Sequence, residues 1–378
     1  MELNILGIET SCDETAAAVV KDGREVLSNV VYTQIPLHQP YGGVVPEIAS
    51  RAHIEKISEV VRTAIDQFNS NTPNSKTQTL DAVAVTYGPG LSPALIVGLN
   101  AAKGVAKGLG VPLIGINHIE AHLHSPFLDN DLDPASCTPA LGLAVSGGNT
   151  MWVDMPEYGR YEVIGETLDD AAGEAFDKAA KLLGLGYPGG LKMDRISAAW
   201  REKSKSGVEV EQWRTLIPFP KGRPRDGVTA LAGLPAELCV SFSGLKTALL
   251  RYVQQHRDLV ESKDGVRDFG GYEVTPQVAQ VVASYQEAIV QAVADRTRTA
   301  LRRKRYKSFI LGGGVSLNSR IRAVLSEVAA EAGVPLYMAK PKYTGDNGAM
   351  IAGLAYYRRN HVEDAMKLDV NPCLQVGG

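Results

Sequence analysis

Several features that mark particular protein classes are scarce in this sequence. The four cysteines are far apart and form no CxxC pair, which argues against a structural zinc module and fits a reducing compartment without disulfides. Long apolar runs are also missing, because the most apolar stretch, residues 94–116, contains Lys103, Lys107 and several glycines. That stretch therefore does not predict a membrane span.

The sequence also shows no strong charge imbalance, and the pattern of its first residues does not predict a leader segment. Its 378 residues carry a formal net charge of −3, a balance that does not predict nucleic-acid binding but leaves room for a local basic patch. The first residues run directly into an apolar strand, without a basic region and a cleavable apolar segment. We therefore expect a cytoplasmic protein.

Glycine, in contrast, is abundant, with 38 residues. Four polar or glycine-rich turns follow predicted strands or helices, at residues 10–15, 146–150, 186–190 and 312–318. Such turns bring backbone N–H groups close to a phosphate without side-chain bulk, so they predict a nucleotide-binding cleft. Asp177 and Asp194 flank the third turn and are candidates to accept hydrogen bonds from ribose hydroxyls; the alternative is that both are surface carboxylates.

The chain contains an internal repeat of strand patterns. Residues 3–33 read as strand, polar turn, strand, tight turn and strand, and residues 139–165 repeat this order. The repeat predicts a duplicated unit with a β-meander at the start of each half. Two helices rich in small residues, 92–109 and 348–355, allow close backbone approach and predict a crossing at a hinge. Ordinary core helices are the alternative.

The most distinctive stretch is residues 116–124, which contain three of the seven histidines. His118 and His122 are four residues apart, so on a helix both imidazoles lie on one face and can share a metal ion. Glu120 is one residue later than the glutamate of an HExxH protease, which turns it by about 100° around the helix, away from a metal-bound water. A solvated or helix-capping histidine pair is the alternative.

Two histidines are too few for a catalytic metal site, which usually has three protein ligands and an open position. Asp346 is the best third candidate, because it offers an oxygen ligand in a glycine-flanked turn just before the second small-residue helix. A set of two histidines and one aspartate suits iron or zinc and leaves positions open for a substrate carbonyl.

Six ordered motifs together resemble the tRNA N6-adenosine threonylcarbamoyltransferase family, once labelled O-sialoglycoprotein endopeptidase, over about residues 3–358. They are GIETSCDET at 7–15, NHIEAH at 117–122, VSGG at 145–148, SFSGLKT at 241–247, GGGV at 312–315 and DNGAM at 346–350. The chain departs from the family pattern at Asn149, where a histidine is expected. It also departs at about 201–236, a basic stretch that is longer than usual and could contact tRNA or a partner.

The resemblance implies an α/β fold with the two lobes of actin, Hsp70 and sugar kinases (the ASKHA fold), built from duplicated βββαβα units. Residues 1–117 form the expected N-terminal lobe, which the C-terminal helix 347–360 completes. Residues 118–346 form the expected C-terminal lobe, with an inserted helical and loop segment at about 169–260, and residues 361–378 form a tail.

The family transfers a threonylcarbamoyl group from threonylcarbamoyl-adenylate to N6 of the adenosine beside the anticodon, in tRNAs that read codons beginning with A. The resemblance implies one divalent metal ion per subunit, iron first and zinc second, bound by His118, His122 and Asp346. Asp13 is implied as an essential acidic group near the reacting centre. The implied contacts of the adenylate are Ala144, Val145, Ser146, Gly147, Gly148, Asp177, Gly190, Asp194 and Asn318.

The resemblance also implies partners. These are tRNA, threonylcarbamoyl-adenylate and the protein subunits of a transfer complex. If the source is bacterial, the subunits are a catalytically degenerate paralogue and a small ATPase. No association with a membrane is implied. Three other functions stay open at this point: a small-molecule kinase of the same fold, a metalloprotease, and a degenerate scaffold subunit. A kinase would leave the histidine pair without a role, and in a protease Glu120 would be misplaced. The complete metal-ligand set and glycine turns argue against a scaffold subunit that has lost its activity.

Overall fold

The computed structural model describes residues 2–71, 79–204, 217–224, 233–261, 265–360 and 367–377. Its first sheet has five strands, which are β1 (Asn4–Glu9), β2 (Glu14–Lys21), β3 (Glu25–Thr33), β4 (Ala82–Gly88) and β5 (Leu113–Asn117). Their order is β3-β2-β1-β4-β5. The first three strands pair antiparallel as a meander, and β1, β4 and β5 pair parallel.

The second sheet repeats this plan. Its strands are β6 (Ala140–Val145), β7 (Thr150–Glu157), β8 (Arg160–Glu166), β11 (Ser308–Gly312) and β12 (Leu336–Met338), in the order β12-β11-β6-β7-β8. Counted from the last strand of its meander, the order is β8-β7-β6-β11-β12, which matches the order in the first sheet. A separate hairpin joins β9 (Arg267–Phe269) to β10 (Tyr272–Val274). The predicted duplication is confirmed, with a fifth strand closing each unit, and the fold is a mixed α/β type with two sheets.

Helices cover both sheets. They are α1 (Ile35–His38), α2 (Pro46–Asn71), α3 (Ser92–Leu109), α4 (His118–His124), α5 (Ala172–Leu182), α6 (Gly190–Ser204), α7 (Ser243–Gln255), α8 (Asp258–Glu261), α9 (Pro276–Arg303), α10 (Ser319–Ala332) and α11 (Gly348–Arg358). Among the described residues, no helix combines the length and the apolar character needed to cross a bilayer.

The two small-residue helices do not cross, so this prediction is wrong. Successive side chains of a strand point to opposite faces of a sheet, and the two helices use different faces of the first sheet. On β1, Leu6 and Ile8 join the apolar cluster of α2 and α3, whereas Ile5 joins that of α11. The small residues of α11 instead allow close contact with the sheet, since a Cβ added at Gly348 would lie 2.5 Å from the backbone nitrogen of Ala18.

The chain therefore returns to the first sheet after it completes the second. Helix α11 packs on β1 and β2, and residues 367–377, which belong to the predicted tail, continue along the same lobe. Leu368 is buried in the cluster of α2 and α3, and the Asn371 N–H donates to the Tyr87 carbonyl at 2.8 Å. The exact lobe boundaries stay a prediction.

The predicted insertion at about 169–260 contains α5, α6 and α7. The polar composition of residues 197–235 predicts loop-rich structure, but helix α6 continues to Ser204. Within the basic stretch 201–236, residues 205–216 and 225–232 lie outside the described residues.

Candidate metal centre

The histidine pair lies at the end of β5, where the chain turns into α4. Asn117 caps this helix, because its side-chain oxygen accepts hydrogen bonds from the backbone N–H groups of Ile119 and Glu120. His118 is thus the first helical residue and His122 lies one turn later. The two rings are stacked edge to face with centroids 4.6 Å apart, so the predicted shared face is present.

Asp346 lies opposite this face, in the turn that precedes α11. Asn347 caps α11 by accepting a hydrogen bond from the Met350 N–H at 3.0 Å, which fixes the turn. Asp346 Oδ1 lies 3.1 Å from His122 Nε2 and 3.7 Å from His118 Nε2. One ligand atom from each of the three side chains lies within 4.8 Å of the others, a spacing that one metal ion can span.

The electrostatics of this cluster favour a cation. Burial raises the pKa of Asp346, but the positive charge of His118 and the contact with His122 outweigh it and lower the pKa to about 2. Burial lowers the pKa of His118, but the charges of Glu9 and Asp346 outweigh it and raise the pKa to about 9. Asp346 is therefore ionised at neutral pH, as a metal ligand must be.

His122 supplies the test of whether a metal fits. The side chain is fully buried, and within the described part of the chain neither of its ring nitrogens has a partner with hydrogen-bond geometry. Buried polar atoms are normally satisfied. A divalent ion between His122, His118 and Asp346 would satisfy Nε2, and the two nitrogens and one oxygen suit iron or zinc.

Glu120 points away from the cluster, as its position in the sequence predicted. Its Oε2 lies 2.6 Å from an Arg358 guanidinium nitrogen, and its Oε1 accepts a hydrogen bond from the Gly377 N–H at 2.9 Å. A carboxylate held by these two partners cannot serve as the general base of a metalloprotease. The protease alternative is therefore not supported.

The glycine turn after β6 is closed by its own backbone. The Ser146 N–H donates to the Asn149 carbonyl at 2.8 Å, and the Asn149 N–H donates to Ser146 Oγ at 3.1 Å. Gly147 and Gly148, at the tip, are exposed, and a Cβ added at either would meet no atom within 4 Å. The turn is thus rigid at its base and leaves open space at its tip. Ala144 and Val145, the last residues of β6, are buried beneath it.

The triple glycine at the end of β11 lies between this turn and the metal centre and contacts both. A Cβ added at Gly312 would overlap the carbonyl oxygen of His122 and lie 2.7 Å from its carbonyl carbon. Gly313 has a φ of 94°, a conformation that favours glycine. A Cβ there would lie 2.7 Å from the Val145 carbonyl carbon. Only glycine lets β11 approach α4 and β6 this closely.

The remaining predicted contacts of the adenylate form two groups. Asp177 Oδ1 accepts a hydrogen bond from the Gly189 N–H at 2.7 Å, next to Gly190. Asp194 and Asn318 share a third residue, because Gln286 Nε2 donates to Asp194 Oδ1 at 3.0 Å and to Asn318 Oδ1 at 3.1 Å. Asp194 is 8% exposed, so the alternative of a surface carboxylate is wrong for this residue.

Asn318 has a fixed orientation. Its Oδ1 also accepts hydrogen bonds from the N–H groups of Arg320 and Ile321 as the cap of α10. All the donors therefore meet the oxygen, and Nδ2 is left buried without a hydrogen-bond partner among the described residues. An unpartnered buried donor costs free energy, so a ligand acceptor at this position would be stabilised.

Asp13 lies in the turn between β1 and β2 and is 8% exposed. Burial raises the pKa of Asp177, and the negative charge of Asp13 raises it further. Burial also raises the pKa of Glu14, to which the charges of Asp13 and Asp346 add. The charge of Asp13 therefore acts on Asp177 as well as on its neighbour Glu14.

Two buried residues of this region received no role from the sequence. Glu9 lies 2.9 Å from His118 Nδ1, and its signal was an acid at the end of the apolar strand LGIE, where an ionised side chain needs a partner. Gln286 had no comparable signal, because it is one of several polar residues along the long helix α9.

Comparison with known proteins agrees with these motifs. The family model for tRNA N6-adenosine threonylcarbamoyltransferase matches residues 25–353. A protein with this name from Anaeromyxobacter dehalogenans is 46% identical over 349 residues, which cover 92% of this chain and 92% of its own. Another from Clostridium botulinum strain 657 is 43% identical over 356 residues, covering 94% of this chain and 92% of its own.

Solved structures give a weaker likeness. The ROK hexokinase from Thermus thermophilus has a TM-score of 0.41 and 18% sequence identity, with 95% of this chain and 100% of the hexokinase covered. The two relatives, in contrast, are 43% and 46% identical over more than nine-tenths of this chain, and the family model matches residues 25–353. The chain belongs to the tRNA N6-adenosine threonylcarbamoyltransferase family.

Proposed function

We propose that this chain transfers a threonylcarbamoyl group from threonylcarbamoyl-adenylate to N6 of the adenosine beside the anticodon, in tRNAs that read codons beginning with A. The observation that carries the proposal is that a candidate metal site and the glycine turns lie directly against each other. The cluster of His118, His122 and Asp346 has metal-binding spacing, and Gly312 brings the glycine turns against the backbone of His122. A kinase of the same fold needs the turns but leaves the cluster without a use.

The proposed site of the adenylate is the surface of the glycine turns. The open tip at Gly147 and Gly148 lets backbone N–H groups approach the phosphate, and Ala144, Val145 and Ser146 support that tip. Asp177, Gly190, Asp194 and Asn318 are the proposed further contacts. The support for Asn318 is its unpartnered Nδ2, which can donate to an acceptor of the nucleotide.

The proposed metal ligands are His118, His122 and Asp346, with one divalent ion per subunit, iron or zinc. Bound there, the ion would supply Lewis-acid polarisation of the carbamoyl carbonyl. The three side chains hold that position rigidly, because the caps Asn117 and Asn347 fix the starts of the two helices.

The attacking group, the exocyclic amine of adenine, is a weak nucleophile, because its lone pair is delocalised into the ring. In the transfer, N6 forms a bond to the carbamoyl carbon, loses one proton, and the bond from that carbon to the AMP oxygen breaks. Orientation of the two substrates must supply much of the rate, and the N–H groups of the turns would stabilise charge on the departing AMP. We assign Asp13 as the acidic group beside the reacting centre.

The proposed partners follow from the same chemistry. The target base must leave its stack and enter the cleft, so the tRNA loop is recognised by shape and by splayed bases. A net charge of −3 gives this chain little general attraction for tRNA, which supports partner subunits that share the binding. For a bacterial source these are a degenerate paralogue and a small ATPase, and we propose the cytoplasm as the location.

The test is a transfer assay with threonylcarbamoyl-adenylate, unmodified tRNA and the proposed partners. We expect His118→Ala to abolish modification of the tRNA. The matched control is His256→Ala, since His256 is exposed and stacks on Tyr252, away from the cluster. Equal modification by wild type and His118→Ala would remove the metal-centred mechanism. Phosphate transfer from ATP to a small molecule, without tRNA modification, would replace the proposal with a kinase.

A further inference from the structure

Glu9 is a fully buried carboxylate at the end of β1. Each of its two oxygens meets donors. Oε2 lies 2.9 Å from His118 Nδ1 and accepts a hydrogen bond from Thr86 Oγ1 at 2.5 Å. Oε1 accepts a hydrogen bond from the Ser11 N–H at 2.5 Å. Both oxygens therefore act as acceptors, which is what an ionised carboxylate requires.

The contact between Glu9 and His118 fixes where the proton of the ring lies. An ionised carboxylate cannot donate, so His118 Nδ1 must carry the hydrogen of this bond. The other nitrogen, Nε2, is then the one that gives up its proton and offers a lone pair when a metal ion binds. This nitrogen faces the cluster, 3.7 Å from Asp346 Oδ1.

We propose that Glu9 is a positioning residue that holds His118 in the tautomer and ring orientation needed for a metal ion at Nε2. The inference rests on the proposed function only for the use of the cluster as a metal site. Carboxylates that accept a hydrogen bond from a metal-bound imidazole fix its orientation and increase its basicity. His122 has no such carboxylate partner at Nδ1 among the described residues, so Glu9 acts on one ligand of the pair.

A second partner of His118 makes the assignment testable. Ser11 Oγ lies 3.1 Å from the same Nδ1, and a hydroxyl can donate or accept. If Ser11 donated to Nδ1, the ring proton would lie on Nε2 and would block the metal. Glu9 excludes that arrangement, because it can only accept.

Glu9→Gln preserves the shape of the side chain but supplies one acceptor in place of two. If the amide nitrogen takes the position of Oε1, it opposes the Ser11 N–H. If it takes the position of Oε2, His118 Nδ1 must become an acceptor, and the ring proton moves to Nε2. The first arrangement keeps the tautomer but removes the negative charge that increases the basicity of the ring, and the second places the ring proton on Nε2, so both weaken metal binding at Nε2.

The first experiment measures metal affinity without any transferase assay. Metal-free wild type and variants are titrated with Zn²⁺ against a competing chelator, and thermal unfolding checks that each variant folds. We expect Glu9→Gln to bind Zn²⁺ about 10- to 100-fold more weakly. The matched control is Glu166→Gln, a glutamate at the end of β8 in the other sheet, which should bind as wild type does. Ser11→Ala should also bind as wild type does.

Two outcomes of the titration would overturn the proposal. One is a Glu9→Gln protein that folds and binds Zn²⁺ as tightly as wild type. The other is a loss of affinity in Ser11→Ala as large as that in Glu9→Gln, since Ser11 would then be the partner that sets the tautomer.

The second experiment needs no substitution, so it decides the case even if Glu9→Gln fails to fold. Nitrogen-15 NMR of histidine in Zn²⁺-loaded wild type should show His118 with its proton on Nδ1 and the metal on Nε2. A metal-bound or deprotonated Nδ1 would overturn the proposal. This measurement also separates the two proposals. If the protein shows the predicted tautomer but transfers no threonylcarbamoyl group, the role of Glu9 is supported and only the proposed function is wrong.

Discussion

Replacing Gly312 with alanine tests how closely the metal centre depends on the second sheet. The added Cβ would lie 2.7 Å from the His122 carbonyl carbon, whereas carbon atoms in contact are about 3.5–4.0 Å apart. The backbone of α4 or of β11 must therefore move by about 0.8 Å, the difference between 3.5 and 2.7. Metal ligands keep their distances to within about 0.2 Å, so the shift is large enough to displace His122 as a ligand.

We expect Gly312→Ala to lower the free energy of unfolding by about 1–3 kcal/mol, as overpacking of a core does. We also expect Zn²⁺ affinity to fall at least about tenfold, which corresponds to about 1.4 kcal/mol. Thermal unfolding and chelator competition measure the two effects. The matched control is Gly314→Ala, where an added Cβ would meet no atom within 4 Å. Wild-type stability and affinity in Gly312→Ala would refute the reasoning.

Three further predictions concern residues around the site. Burial lowers the pKa of His124 to about 4, below its unfolded value, so its contribution to stability is present above about pH 6.5 and is lost as the pH falls toward 4. This contribution is about 3 kcal/mol. In His124→Gln, the unfolding temperature should therefore fall less than in wild type as the pH is lowered from about 6.5 toward 4. Arg358→Met leaves the charge of Glu120 buried and should destabilise the protein by less than the about 3–5 kcal/mol of a fully buried pair, because Arg358 is 24% exposed. Gln286→Glu places a second negative charge against Asp194 and should weaken binding of threonylcarbamoyl-adenylate about tenfold or more, with unchanged Zn²⁺ affinity, as calorimetry can measure.

All three predictions have an outcome that would contradict them, and the arginine and glutamine variants also have matched controls. An unchanged pH profile in His124→Gln would show that this ring does not couple folding to pH. Arg359→Met removes a neighbouring exposed arginine and should leave stability unchanged; an equal loss in both arginine variants would contradict the role of the ion pair. Gln277→Glu makes the same change at an exposed position of α9. Equal affinity for threonylcarbamoyl-adenylate in both glutamine variants would contradict the role of Gln286.

The sequence predicted those parts of the molecule that depend on local pattern. The meander at 3–33 and its repeat at 139–165 rest on short apolar strands separated by turn residues, and both patterns produced the expected strands. The face shared by His118 and His122 follows from helical periodicity alone. That Asp346 lies opposite them depends on a chain return across more than 200 residues. The chemistry of its turn and the family resemblance suggested this position, and local pattern could not.

The sequence did not predict features that only tertiary burial creates. Helix α6 was missed beyond residue 197, because its last turns carry Arg201 and Lys203 and show no clear apolar stripe. Gln286 and Glu287 are adjacent on α9 and both buried, which happens only when neighbouring elements cover the helix on several sides. The segment 367–377 was predicted as a tail, although its hydrogen bonds to Tyr87 and Glu120 anchor it to the fold. None of these contacts leaves a periodic signal.

The most direct test of the account is anomalous X-ray diffraction from crystals of the protein grown with iron or zinc and with threonylcarbamoyl-adenylate. We expect one anomalous peak per subunit, at bonding distance of about 2.0–2.2 Å from His118 Nε2, His122 Nε2 and a carboxylate oxygen of Asp346, beside the carbamoyl carbonyl. A peak at other residues would contradict the proposed metal centre. So would ordered threonylcarbamoyl-adenylate in the cleft with no metal ion at these three side chains.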